Sequence, residues 1–156
     1  MKRRYGFIFA IFGFIVFFFS TESQAEEWIL FSRSPLDSFA YYDKQNIKLV
    51  SKDVVQVWTK ISYSEKDAQD WIKKWGPIYK DLNYTIALRE YNCSEKKSRT
   101  LLAAYYNQKG GLIVNYCEPT AWCSVVPENM DETLFNIVCK SPEENEKKNE
   151  GNTHGE

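Results

Sequence analysis

The chain reads as an α+β domain built on one antiparallel sheet of six to eight strands, with one helix in mid-chain and one at the C-terminal end. Three observations predict this. Short runs rich in Val, Ile, Tyr, Phe and Trp recur between turn residues, the pattern of strands joined by short links. Two stretches switch to the 3.6-residue period of a helix. The links between strands are too short for parallel crossovers, so neighbouring strands run antiparallel.

The elements follow in order. Trp28–Arg33, Phe39–Asp43 and 47–50 read as strands separated by turns at Pro35, Asp37 and 44–46. A longer strand covers 54–63, where Val55, Val57, Ile61 and Tyr63 alternate with Gln56, Lys60 and Ser62. Trp58 interrupts the polar half of that alternation and is the candidate interface residue. Ser64 and Asp67 make an approximate capping box for the first helix, and Ala68, Trp71, Ile72 and Trp75 form its apolar stripe until Gly76-Pro77 ends it. Strands return at 84–93 and 98–107, turn at Gly110-Gly111, and continue at 112–117 and 122–126. Asn129, with Glu132 three residues on, caps the last helix, whose Leu134, Ile137 and Val138 face inward.

Two segments stand outside this domain, which spans 26–140. Residues 1–25 have the form of a signal peptide. Basic Lys2, Arg3 and Arg4 precede an apolar run to Phe19, and Ser23 and Ala25 supply the small residues before a cut at Glu26. The run is nearer 15 than the roughly 20 residues of a membrane span. The reading is an exported protein of the periplasm, the outer surface or the extracellular space, with no lipid anchor, since no cysteine stands near the cut. The polar stretch 141–156 is expected to be disordered.

Composition narrows the function. Loss of 1–25 removes three basic and one acidic residue, leaving 17 against 20 and a net charge of −3. That argues against a nucleic-acid partner. The single histidine, His154, lies in the tail, so serine and cysteine hydrolysis lack a base and zinc hydrolysis lacks imidazoles. No phosphate-binding loop is present, no cofactor is called for, and no metal site is expected, as the cysteines form no C-x-x-C pair. Asp43, Asp53, Glu90 and Glu118 remain as scattered carboxylates for a less favoured hydrolase reading, and Asp43 could pair with Arg99 between strands.

Four cysteines in a small exported chain imply two disulfides, with three pairings open. The nested arrangement, Cys93 with Cys139 and Cys117 with Cys123, is favoured. The landmarks Tyr41-Tyr42-Asp43, Val57-Trp58-Thr59-Lys60, Glu90-Tyr91-Asn92-Cys93 with Arg99, and Trp122 with Val126-Pro127-Glu128-Asn129, Leu134 and Cys139 together resemble the surface-adhesin protein E family of bacterial exported proteins. The resemblance implies a single-domain α+β fold, supports Cys93–Cys139 as the family's bridge, and implies binding to host matrix or serum proteins. The residues therefore predict a non-enzymatic, adhesin-like binding module with a protein partner, host or envelope. The alternative is a periplasmic assembly factor acting as a homodimer.

Overall fold

The computed structural model describes residues 27–150. The expected signal peptide lies outside the described residues, as do positions 151–156. The strands are β1 (Trp28–Arg33), β2 (Phe39–Asp43), β3 (Lys48–Ser51), β4 (Val54–Ser62), β5 (Leu82–Asn92), β6 (Lys97–Asn107), β7 (Leu112–Tyr116) and β8 (Cys123–Ser124). The helices are α1 (Glu65–Trp75) and α2 (Met130–Glu150), with a 3-10 turn at Pro77–Tyr79 that the sequence reading did not foresee. The strands form one antiparallel sheet in the order β1-β2-β4-β5-β6-β7, the predicted α+β class.

Three long strands carry the sheet, and each outer side is divided between two shorter ones. On β4, β2 pairs with Thr59–Ser62 and β3 with Val54–Gln56. On β6, β7 pairs with Ala103–Tyr106, and β8 with Lys97 and Ser98.

Side chains alternate between the two faces of a strand, and on β4 this sorts the core. Val55, Val57 and Thr59 are buried, whereas Gln56, Trp58 and Lys60 look the other way. Both helices pack on the Val57 face. Leu134, Phe135 and Val138 of α2 join Tyr42, Val55, Val57 and Tyr91 in one core. Each such side chain contributes roughly 1.5–3 kcal/mol on burial. Ala68 of α1 joins Tyr79 and Leu82 in a second core, with Tyr63, Trp71, Ile72 and Tyr105 against it. The expected stripe holds except at Trp75, which is 64% exposed. It is the last residue of α1, and Gly76 at φ 98° turns the chain away directly after it.

Both N-caps form, but the expected box at Ser64 does not close, because the Ser64 amide donates to Ser38 Oγ at 2.9 Å and Asp67 accepts from Ser34 instead. The Asp67 amide donates to Ser64 Oγ at 3.2 Å, and the Glu132 amide to Asn129 Oδ1 at 2.9 Å. Two devices then fix α2. Cys93 and Cys139 are bonded, their Cα atoms 5.5 Å apart. In the first turn of α2, Asp131 accepts from Tyr91 Oη at 2.7 Å and Ser98 Oγ at 2.6 Å, and pairs with Arg89 Nη2 at 2.7 Å. Arg89 Nε is buried with no hydrogen-bond partner.

Three expectations are corrected. Cys117 and Cys123 are exposed free thiols, not a disulfide. The segment between them tracks the edge of β6. Tyr116 sits opposite Ala103, Thr120 bonds Thr100 through its backbone N–H, and Cys123 sits opposite Ser98. At ~3.3 Å per residue this separates the two cysteines by roughly 13 Å, whereas a bridge requires Cα atoms within about 7 Å. Residues 141–150, expected to be disordered, continue α2. Their Glu and Lys content favours a helix already nucleated and clamped upstream. Asp43 and Arg99 do not pair, because β4 and β5 lie between their strands.

Candidate functional site

With both helices on one face of the sheet, the other face of the long strands has no helix upon it among the described residues. Cross-strand register assembles its surface. Trp58 of β4 lies opposite Leu88 of β5, which lies opposite Leu102 of β6. One step along, Lys60 is opposite Ile86, and Ile86 opposite Ala104. The next row brings Ser62 to Tyr84 and Tyr84 to Tyr106, whose rings stack at 4.8 Å. Trp58, Ile86, Leu88 and Leu102 are each partly exposed.

Trp58 was singled out because its own strand is polar on that side. The structure places it at the centre of a patch that is apolar across strands, not along them. The contributing residues Ile86, Leu88 and Leu102 were missed. The signal for them was present: β5 has apolar residues at both parities, as a strand covered on both faces would.

Charged groups flank the patch. Lys60 Nζ lies 5.0 Å from the Tyr84 ring centroid and 5.9 Å from that of Trp28. Such an ammonium is held over the rings by their negative faces. Toward the other end, Arg99 donates to Glu90 Oε2 from Nε at 2.7 Å and pairs with it through Nη2 at 2.6 Å. Its guanidinium also lies 4.4 Å from the Trp122 ring centroid. Gln56 donates to the other Glu90 oxygen at 3.3 Å. The Glu90 charge is thereby compensated, and Arg99 is held between Glu90 and Trp122. A depression of about 350 Å³ lies beside Trp58, lined by Trp28, Asp43, Ile86, Leu102 and Tyr106 among others. Asp43 is 2% exposed. It accepts from the Gln45 amide at 3.1 Å and Asn46 Nδ2 at 2.6 Å, so its carboxylate shapes a turn. Asp53 lies in the turn between β3 and β4, and Glu118 follows β7 on an exposed loop. The four carboxylates noted in the sequence are thus spread over two strands, a turn and a loop.

The titration shifts lie on the helix-covered face. Burial pushes the Tyr91 phenol well above its ordinary range, with Asp131 raising it further and Arg89 opposing. Burial likewise raises Tyr63, against a lowering by its bond with Thr85.

Fold and surface together define a small α+β protein whose aromatic sheet face carries no helix among the described residues. The model of the surface-adhesin protein E family matches residues 28–140, and the chain belongs to that family as an adhesin-like protein. It is similar to solved structures of Haemophilus influenzae protein E. One is 12% identical, with 72% of this chain and 83% of that one covered and a TM-score of 0.47. Another, from the non-typeable organism, is 12% identical, with 75% and 78% covered and the same TM-score of 0.47. A second crystal form is 13% identical, with 65% and 80% covered and a TM-score of 0.43. No curated protein matches the chain.

Proposed function

We propose that the protein is an exported, non-enzymatic binding module that engages a protein partner through the helix-free face of its sheet, centred on Trp58. The observation that carries this reading is the contiguous row Trp58–Leu88–Leu102, partly exposed and flanked by Lys60 and Arg99. Aromatic and aliphatic anchors encircled by ordered charges are the composition of an interface core with its rim. Tryptophan and arginine are the side chains whose truncation most often costs an interface dearly. Family membership supports an adhesin-like role. The disulfide supports an oxidising compartment, consistent with the periplasm or the outer surface.

The test has two arms. Fractionation of cells carrying the tagged full-length chain should recover it in the periplasm or on the outer surface; cytoplasmic recovery would overturn the export reading. Capture of envelope and host matrix proteins by the wild-type chain should lose its principal partner with Trp58→Ala. The expected loss is at least about thirtyfold in affinity, as for a residue at the centre of an interface. Undiminished capture would remove this face from the proposal.

A further inference from the structure

The helix-covered face holds a second concavity, on the opposite side of the sheet from the surface just described and independent of it. Between the N-terminal ends of α1 and α2 lies a cleft of about 740 Å³. That volume suits a single organic molecule. Its floor includes Ala40 and Ile61, paired across β2 and β4, and Tyr63 and Trp71 contribute an aromatic wall. Asp67, Glu128 and Glu132 lie around it, with Arg33 as the one basic residue of the lining. Arg33 is already paired with Asp37 at 2.8 Å, so the lining is net acidic.

Two of these residues have a fixed relation. Asp67 and Trp71 stand four apart on α1, which puts a carboxylate and an indole on the same side of the helix. Asp67 is held in place by Ser34, whose hydroxyl donates to Oδ2 at 2.7 Å. Trp71 is braced edge-on by Tyr63, ring centroids 5.5 Å apart. A carboxylate beside an aromatic face attracts an organic cation and accommodates its methyl groups better than it does a hydrated metal ion. An apolar floor then selects for a hydrocarbon body.

From this combination we infer that the cleft is a binding site for a small amphiphilic cation, with an ammonium head between Asp67 and Trp71 and an apolar body on Ala40 and Ile61. The net acidic lining disfavours the corresponding anion, and the half-open cleft suits a small molecule better than a flat protein interface.

The probe is decyltrimethylammonium, kept below its micelle concentration and titrated into the purified protein under NMR observation. Saturable shifts at the Trp71 indole N–H and the Ala40 and Ile61 amides are expected. Decyl sulfate, with the same tail and the opposite charge, should bind at least about tenfold more weakly. Ser32, in β1 and lining the cleft, gives the blocking variant: Ser32→Trp fills the space and should abolish the shifts. Should Ser32→Trp fail to fold by circular dichroism, Asp67→Asn combined with Glu132→Gln decides. Both changes keep an acceptor for Ser34 and for the Glu128 amide, yet should weaken the cation about tenfold while leaving decyl sulfate no weaker. Shifts centred on Trp58 and Leu88, equal affinity for the two head groups, or no saturation would each overturn the inference.

Discussion

Val57 and Trp58 are adjacent on β4, but they serve opposite faces of the sheet. On the Val57 face, apolar side chains meet two helices, and a carboxylate, a guanidinium, a phenol and a hydroxyl bond one another around Asp131. On the Trp58 face, apolar side chains meet no helix among the described residues, and the charges stand at the margins. The first face accounts for why the chain folds. The second carries more apolar surface than one-sided packing requires, and that surplus is what a partner can use. The contrast implies that damage to the covered face should register as lost stability, and damage to the open face as lost binding.

The largest expected effect comes from alkali. Tyr91 and Tyr63 have phenols raised above their ordinary 10, chiefly by burial. In the unfolded chain each ionises near that ordinary value; in the folded protein each stays neutral. Their contribution is therefore complete below pH 10 and is lost as pH rises above it, at up to about 1.4 kcal/mol per tyrosine per pH unit. Phenolate absorbance should show a set of tyrosines that ionises only together with loss of near-ultraviolet circular dichroism. Ionisation of every tyrosine before unfolding would mean that the covered face is wetter than its packing implies.

The next effect concerns the two clamps on α2. Asp131→Ala leaves Arg89 without its carboxylate in a largely buried site and should cost about 3–5 kcal/mol in urea unfolding. Replacing Cys93 and Cys139 together by serine opens a loop with a sequence separation of 46 and should cost about 4 kcal/mol in the chain-entropy model. A loss below about 1 kcal/mol for either change would show that the helical core alone fixes α2.

The covered face was largely legible in the sequence, and the open face was not. Strand alternation gave Val55 and Val57, and helical spacing gave Ala68, Leu134 and Val138, because a one-sided core writes a period into the chain. The caps Ser64 and Asn129 were equally local, and both formed. The open patch is a property of register, with Trp58, Leu88 and Leu102 drawn from three strands, and no single strand displays it. The Asp131 cluster was hidden for the same reason, since its members lie at positions 89, 91, 98 and 131. The Cys117–Cys123 expectation failed on geometry that spacing cannot express: a six-residue separation suggests a compact loop, but pairing with β6 draws it out lengthwise.

The two faces differ most plainly at adjacent Val57 and Trp58, where the expected stability effects are also smallest. Val57 is fully buried, so Val57→Ala removes two methyl groups from a packed core and should cost about 2 kcal/mol of stability. Trp58→Ala removes a far larger side chain from a half-open surface. Its neighbours Leu88 and Ile86 stay in place, no helix above it loses a contact, and the stability cost should stay below about 1 kcal/mol. Partner affinity should show the reverse order, falling for Trp58→Ala and holding for Val57→Ala wherever the latter remains folded. Urea midpoints and partner titrations on the two variants test this together. A Trp58→Ala chain as unstable as Val57→Ala would mean that Trp58 seals the fold, and the open face would then count as core, not as a surface kept for a partner.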